Sequence, residues 1–332
     1  MRNAAIRATG MYVPEREIPN SYFDEYFGEP VGDWLVKNLD IHARRWCRDD
    51  ESTADLVEAA AKDILERAGV AAEEVDMLIV STDTPEYLSP STASVAQHRL
   101  GLKKAATFDL NTACAGFVTA MDVASRYIRS DDRYRYILVI GAYAMSKFLN
   151  ADDKKTVTLF ADGAAGCLLE AVTGEEAETR GWQGCLLSTE GQYADWMGVY
   201  AGGSKYPTTP ARMAGHEHQL QFTKRFPKEI NPENWTRMIG ELCDRVGTRP
   251  TDVDQYFFTQ LNINSIRETL DNVGVPHDKA HTVMQRYGYT GSACIPMALH
   301  DAFTQGKVKQ GDRIFLVASG GGLSFAAASF GF

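Results

Sequence analysis

The sequence predicts a duplicated α/β fold, two halves of similar build in which largely buried strands carry helices packed on them. Three observations carry that prediction. Apolar runs of strand length recur at VDMLIVST (residues 75 to 82), YRYILVIGA (134 to 142), VDQYFFTQ (253 to 260) and DRIFLVASG (312 to 320). Landmarks repeat at nearly one offset: Asp76 and Asp254, like Val139 and Val317, are 178 residues apart, and Cys114 and Cys294 are 180 apart. Each half also runs in one order, a helical stretch, a strand, an Ala-Cys turn into a helix, then a second apolar strand.

Size and composition fit this reading. A chain of 332 residues accommodates two domains or one two-lobed unit, and 44% hydrophobic with 23% charged residues is ordinary for a globular protein. The net charge of -10 argues against a general nucleic-acid binder, because phosphate binding needs a basic surface. The start MRNAAIRATGMYVP has no long apolar segment, and no run approaches 18 apolar residues, so neither export nor membrane spanning is expected and the chain reads as cytoplasmic. The cysteines at 47, 114, 167, 185, 243 and 294 lack C-x-x-C spacing; reduced thiols are expected, with neither a metal site nor a disulfide framework. There is no Walker loop and no G-x-G-x-x-G fingerprint after a strand.

The elements follow in order. ERAGVAAEEVD and CDRVGTRPTDVD precede corresponding strands and read as a helix, a glycine C-cap and a connecting turn. DLNTACAGFVTAMDVA, residues 109 to 124, sets Cys114 where small residues give way to a helical pattern. Residues 202 to 222, GGSKYPTTPARMAGHEHQLQF, have no counterpart in the first half, and insertions rich in turn residues often shape a site.

Five stretches, DLNTACAGFVTAMDVASRYI, TLFADGAAGCLLE, YAGGSKYP, NVGVPHDKAHTVMQRYGYTGSACIPMALHDA and VASGGGLSFAAASF, together resemble the β-ketoacyl synthase III branch of the thiolase superfamily, in order over almost the whole chain. The resemblance implies the thiolase fold, a duplicated five-layered α-β-α-β-α structure. Residues 1–172 would form the N-terminal half carrying the nucleophile and residues 173–332 the half that completes the active site. It implies a cysteine nucleophile at Cys114, an acyl-CoA or acyl carrier protein thioester as substrate, and no permanently bound cofactor. An oxyanion hole would be built from N–H groups of Cys114 and of the Gly320 to Gly322 run, Gly321 foremost. A homodimer is expected, because the loop Glu86 to Pro90 and the segment ATFDLN match the dimer-forming region. A cysteine at a helix N-terminus also meets aligned N–H dipoles that favour thiolate, and Ala113, Ala115 and Gly116 leave room for substrate.

Departures from the family pattern shape the functional expectation. Decarboxylating members place a histidine after the strand matching DQYFF and an asparagine after YG, which donate to the developing enolate; here Thr259 and Tyr289 stand at those positions. Threonine offers one hydrogen bond but no base near neutral pH, and tyrosine titrates near about 10, so decarboxylative condensation should be crippled while cysteine acylation survives. The resemblance sets Trp34, Lys154 and Asn262 in the region that meets CoA, Trp34 at the adenine-stacking position. Asn38 and Asn264 replace residues commonly arginine, and Ser89 replaces a gating aromatic. Two candidates for the missing base are His218, at the mouth of the acyl pocket, and Glu86, in the interface loop.

The expectation is an acyltransferase of specialised metabolism that moves an acyl group from a thioester through Cys114 to a small-molecule acceptor. The alternatives are carbon-carbon condensation without the usual pair, with Glu86 as base, and a non-catalytic partner of an active homologue.

Overall fold

The computed structural model describes residues 1–332. Two sheets form its frame. The first contains β1 (Arg2–Tyr12), β2 (Met77–Ser81), β3 (Ala106–Leu110), β4 (Tyr136–Ala144) and β5 (Asp162–Thr173), in the spatial order β1-β5-β4-β2-β3. The second contains β6 (Gly181–Thr189), β7 (Gln255–Phe258), β8 (Arg313–Gly320) and β9 (Ser324–Gly331), in the order β7-β8-β9-β6. In each, a parallel core, β3-β2-β4 in one and β7-β8 in the other, is flanked by antiparallel strands. All four apolar runs are strands, every residue of β2 and β4 being buried, as expected of strands covered on both faces.

The sequence repeat has a structural cause. Asp76 donates its N–H to the Tyr136 carbonyl at 2.9 Å, and its carboxylate accepts from the N–H groups of Arg135 and Tyr136 at 2.7 and 2.9 Å. Asp254 donates to the Arg313 carbonyl at 2.9 Å and accepts the Arg313 N–H at 2.8 Å. The two aspartates clasp the start of equivalent parallel pairs, which fixes register where one face alone cannot. The counterpart of β3 in the second half is reduced to a single parallel bridge between Tyr256 and Ala280.

Helices supply the other layers. These are α1 (Asn20–Phe27), α2 (Val31–Leu39), α3 (Thr53–Ala68), α4 (Thr92–Leu100), α5 (Gly116–Ser130), α6 (Ile230–Val246), α7 (Ile263–Asn272) and α8 (Cys294–Thr304). The central pair, α5 and α8, lies between the sheets and shares with them the largest apolar core, 40 buried residues. A second core seats α3 and α4 on the outer face of the first sheet, and a third seats α6 and α7 on the second. The resulting order is α-β-α-β-α. The stripe Leu56, Val57, Ala60, Ile64 and Leu65 shows why α3 docks: residues three and four apart are fully or nearly buried, each large one contributing roughly 1.5–3 kcal/mol. Gly69 and Gly247, at φ +64° and +66°, end α3 and α6 in the left-handed conformation foreseen at both. No helix is long and apolar enough to cross a membrane.

Candidate active site

Cys114 sits just before α5, at the carboxyl ends of the parallel strands of the first sheet. The chain leaves β3 at Leu110, whose carbonyl accepts the Thr82 N–H at 3.1 Å. It then turns sharply: Asn111 Oδ1 accepts the Ala113 N–H at 2.9 Å, and the Thr112 and Ala113 carbonyls accept the N–H groups of Ala115 and Gly116 at 3.2 and 2.9 Å. Ala113 is held at φ +47°, which for a residue with a Cβ stores of order 1–3 kcal/mol of strain. A side chain at Gly116 would run into Ser81 Oγ, so only glycine lets α5 start against the end of β2.

The Cys114 side chain is 2% exposed. Burial pushes its thiol well above the usual range, the Asp83 carboxyl adds to the rise, a hydrogen bond from the Tyr289 hydroxyl opposes it, and Cys294 raises it further. This corrects the expectation of a resting thiolate. A helix terminus stabilises an anion by at most about 2 kcal/mol, which does not offset removing the thiolate from water with no cation beside it. The resting Cys114 side chain is a thiol.

Two N–H groups at this junction are left without main-chain partners. Neither the Cys114 nor the Gly321 N–H has a protein acceptor. Gly320 packs so tightly on the cysteine turn that a Cβ there would lie 2.6 Å from Cys114 N, 2.7 Å from Thr112 O and 2.8 Å from Ala115 N. This contact between β8 and the start of α5 joins the two halves at the site.

Tyr289 and Thr259 take different parts. Tyr289 is 3% exposed, and burial, then the neighbouring Cys114, raise its own pKa well above that of free tyrosine. Its main chain is fixed by Leu159 and Ala161 at 3.0 and 2.9 Å. The Thr259 hydroxyl, expected to have one hydrogen bond to offer, has already spent it: it donates to the Ser319 carbonyl at 3.2 Å and accepts the Ser319 N–H at 2.9 Å, extending the β7-β8 pairing.

A cleft of about 820 Å³ opens beside α2, lined by Trp34, Lys154, Lys155, Phe222, Lys224 and Arg225 among others. It brings together Trp34, 56% exposed, and Lys154, which pairs with Glu29. Thr158 and Leu159 line the cleft wall nearest Tyr289. An aromatic path runs inward, with ring centroids of Phe222 and Phe160 6.4 Å apart and those of Phe160 and Tyr289 5.4 Å apart. Asn262 is absent from the cleft lining; its side chain caps α7 by accepting the Asn264 N–H at 2.9 Å. Asn264 in turn donates to the Asn38 carbonyl at 2.8 Å.

Of the two candidate bases, Glu86 is engaged elsewhere. Glu86 accepts from Ser52 Oγ at 3.1 Å and from the Ala54 N–H at 2.9 Å, and Arg99 stands 3.9 Å away, so this carboxylate caps α3 within its own chain. His218 lies in a turn where its neighbours Gln219 and Leu220 bond to Leu149 and Phe148, and its own Nδ1 is buried without a partner. The groups that most affect the Cys114 sulfur are Asp83, Tyr289 and Cys294, and neither candidate is among them. No group of three His, Cys, Asp or Glu side chains is arranged to hold a metal ion.

Three residues near the sulfur escape sequence reasoning: Asp83, Tyr143 and Cys294. Asp83 is pushed up to about 6 by burial, and its Oδ1 is buried with no hydrogen-bond partner. Its only sequence signal was an acidic residue just beyond a largely apolar strand. Tyr143 ends a strand run and Cys294 is the repeat partner of Cys114.

Comparison with known proteins agrees with this fold. Residues 108–191 match the family described as 3-oxoacyl-[acyl-carrier-protein (ACP)] synthase III, and residues 243–332 match its C-terminal counterpart. The chain is 34% identical over 330 residues to the β-ketoacyl-[acyl-carrier-protein] synthase III of Staphylococcus epidermidis, covering 98% of this chain and 97% of that protein. Over 325 residues it is also 34% identical to the enzyme of the same name from Ruegeria pomeroyi, covering 98% and 97%. The crystal structure of a β-ketoacyl-[acyl carrier protein] synthase III from Thermus thermophilus superimposes with a TM-score of 0.89 at 30% identity, covering 99% of both chains.

Proposed function

The chain belongs to the 3-oxoacyl-[acyl-carrier-protein] synthase III family, and from that premise we propose that it is a thioester-dependent acyltransferase of ketoacyl synthase III type serving specialised metabolism. It takes an acyl group from a CoA or acyl carrier protein thioester onto Cys114 and passes it to a small-molecule acceptor. The observation that carries this reading is the Cys114 turn itself: a thiol at the start of a buried helix, at a junction where the N–H groups of Cys114 and Gly321 have no protein acceptor. Such donors, 2.7–3.1 Å from a developing oxyanion, stabilise the tetrahedral intermediate of acyl transfer. The cleft at Trp34 and Lys154 supports entry of a nucleotide-bearing thioester, an aromatic face for the adenine beside ammonium groups for phosphate.

Commitment of the Thr259 hydroxyl to Ser319 supports transfer without decarboxylation, since no enolate donor remains at that position. The names of the relatives favour a second reading, carbon-carbon condensation. A homodimer is part of the proposal: β3 is an edge strand with one side unpaired, and Tyr87 and Leu88 beside it are 55% and 83% exposed.

The test pre-loads Cys114 from an acyl-CoA and offers an amine, an alcohol, a thiol and a 3-oxoacyl thioester, with a parallel malonyl thioester assay. Acyl transfer to one of these acceptors with little carbon dioxide release is expected. Rapid release of carbon dioxide from the malonyl thioester, with a 3-oxoacyl product, would replace this reading with the condensing one.

A further inference from the structure

We propose that Asp83 is the proton acceptor for acyl transfer at Cys114, taking a proton from each attacking nucleophile and returning it to each departing sulfur. The inference rests on the acyl-transfer reading and supplies the group that reading lacks.

The placement follows from the sheet. Ser81, the last residue of β2, is in register with Leu110 at the end of β3 and with Gly141 in β4. Asp83, Cys114 and Tyr143 therefore emerge together where three parallel strands end, the place at which open α/β sheets build their sites. The loop is pinned on both sides of the carboxylate. Thr84 N–H donates to Thr82 Oγ1 at 3.0 Å, Ala144 N–H donates to Thr84 Oγ1 at 2.9 Å, and Thr53 Oγ1 donates to the Thr84 carbonyl at 2.5 Å.

Within this rigid setting Asp83 Oδ1 is buried and accepts no hydrogen bond. An unpaired buried carboxylate oxygen costs several kcal/mol unless a ligand or a reaction uses it. Asp83 acts on the Cys114 thiol and the Tyr143 hydroxyl, raising both, while Tyr289 and Cys294 complete the groups around the sulfur. None of these is a cation. Burial, opposed only by a hydrogen bond from its own main chain, holds the carboxyl near about 6, the range in which a base works at neutral pH.

The chemistry balances without any further reactant. In loading, the Cys114 sulfur bonds to the donor carbonyl carbon as its proton passes to Asp83. The donor carbon-sulfur bond then breaks, and the departing thiolate takes that proton. In transfer, the acceptor loses its proton to Asp83 as it bonds to the acyl carbon. The bond to Cys114 breaks, and the proton returns to its sulfur. Asp83 ends as carboxylate and Cys114 as thiol, their resting forms.

The test compares wild type with Asp83→Asn, measuring loading from acetyl- and butyryl-CoA, single-turnover transfer from pre-loaded enzyme, and alkylation of Cys114 by iodoacetamide at pH 8. Loading and transfer should fall about 10²–10⁴-fold and lose the limb that rises through pH near 6. Alkylation should instead speed up, because a neighbouring negative charge that raises the thiol is gone. The variant should fold: a carboxyl raised above its ordinary value destabilises the native state as pH rises through about 6, so the amide raises the melting temperature at pH 8 and has no such effect below pH 4. Asp83→Ser repeats the test should the amide fail to fold. Wild-type rates in the variants, or a fall in all three readouts together, would overturn the base assignment and leave acyl transfer standing. A wild-type protein that accepts no acyl group from any thioester would overturn the acyl-transfer reading, and the assignment with it.

Discussion

Substituting Gly320 by alanine tests whether the contact between β8 and the cysteine turn sets catalytic geometry. The added methyl would lie 2.6 to 2.8 Å from three main-chain atoms, Cys114 N, Thr112 O and Ala115 N, so no side-chain rotation relieves it. The β8 side cannot yield easily, because Gly320 pairs with Ser324 across to β9 and Ser319 is tied to the Thr259 hydroxyl. The movement falls on the turn, where Ala113 is already strained at φ +47°. Overpacking of this kind costs about 1–3 kcal/mol. With an unfolding entropy of roughly 0.7 kcal/mol per degree for a chain of this length, the melting temperature should drop by about 1–4 °C. The catalytic effect should be larger, since displacing one oxyanion donor costs about 10²–10³-fold, or 2.7–4 kcal/mol. Stopped reactions with acetyl-CoA, read by intact-protein mass, give the loading rate, and differential scanning fluorimetry gives the stability. Gly321→Ala is the control: its methyl would meet the flexible Met197 Cε at 3.1 Å, leave the N–H in place, and slow loading far less. If Gly320→Ala loads at the wild-type rate, the oxyanion geometry described here is wrong.

Further expectations follow from the same atoms. The rate of Cys114 alkylation by iodoacetamide should still be climbing at pH 9, because burial holds the thiol above its ordinary value; a plateau below pH 8 would refute that. Trp34→Ala should raise KM for a CoA thioester, with kcat preserved, by an amount set by loss of about 1–3 kcal/mol of base stacking; an unchanged KM would remove the adenine from this cleft. Light scattering at micromolar concentration should give twice the chain mass, and a monomer mass would contradict pairing through β3.

What the sequence made legible were features with a period or an offset. The strand runs, the aspartates at 76 and 254, the glycine caps at 69 and 247 and the small residues around Cys114 are local signals, repeated because the fold is. The remainder depended on partners far along the chain. Glu86 looks like a free carboxylate until folding brings it to Ser52 and Ala54, more than 30 residues earlier. The Thr259 hydroxyl is spent on a residue 60 positions away, through a parallel pairing no local pattern reveals. Asp83 reads as a turn residue in STDTPEY, and its chemistry comes from burial that only tertiary packing imposes. The direction of the Cys114 thiol was misjudged for the same reason: the helix terminus is visible in sequence and desolvation is not. Asn262 had a local signal, an asparagine directly before a helix, and that signal pointed to the capping role it plays.

The central claim is that Cys114 carries the acyl group, and intact-protein mass spectrometry after incubation with a panel of acyl-CoA and acyl carrier protein thioesters tests it most directly. The account predicts a single acyl mass added to wild type, located by peptide mapping to residues 109 to 124, and none added to Cys114→Ala. Failure of every thioester to modify the wild-type protein, or an equal adduct on the alanine variant, would contradict it.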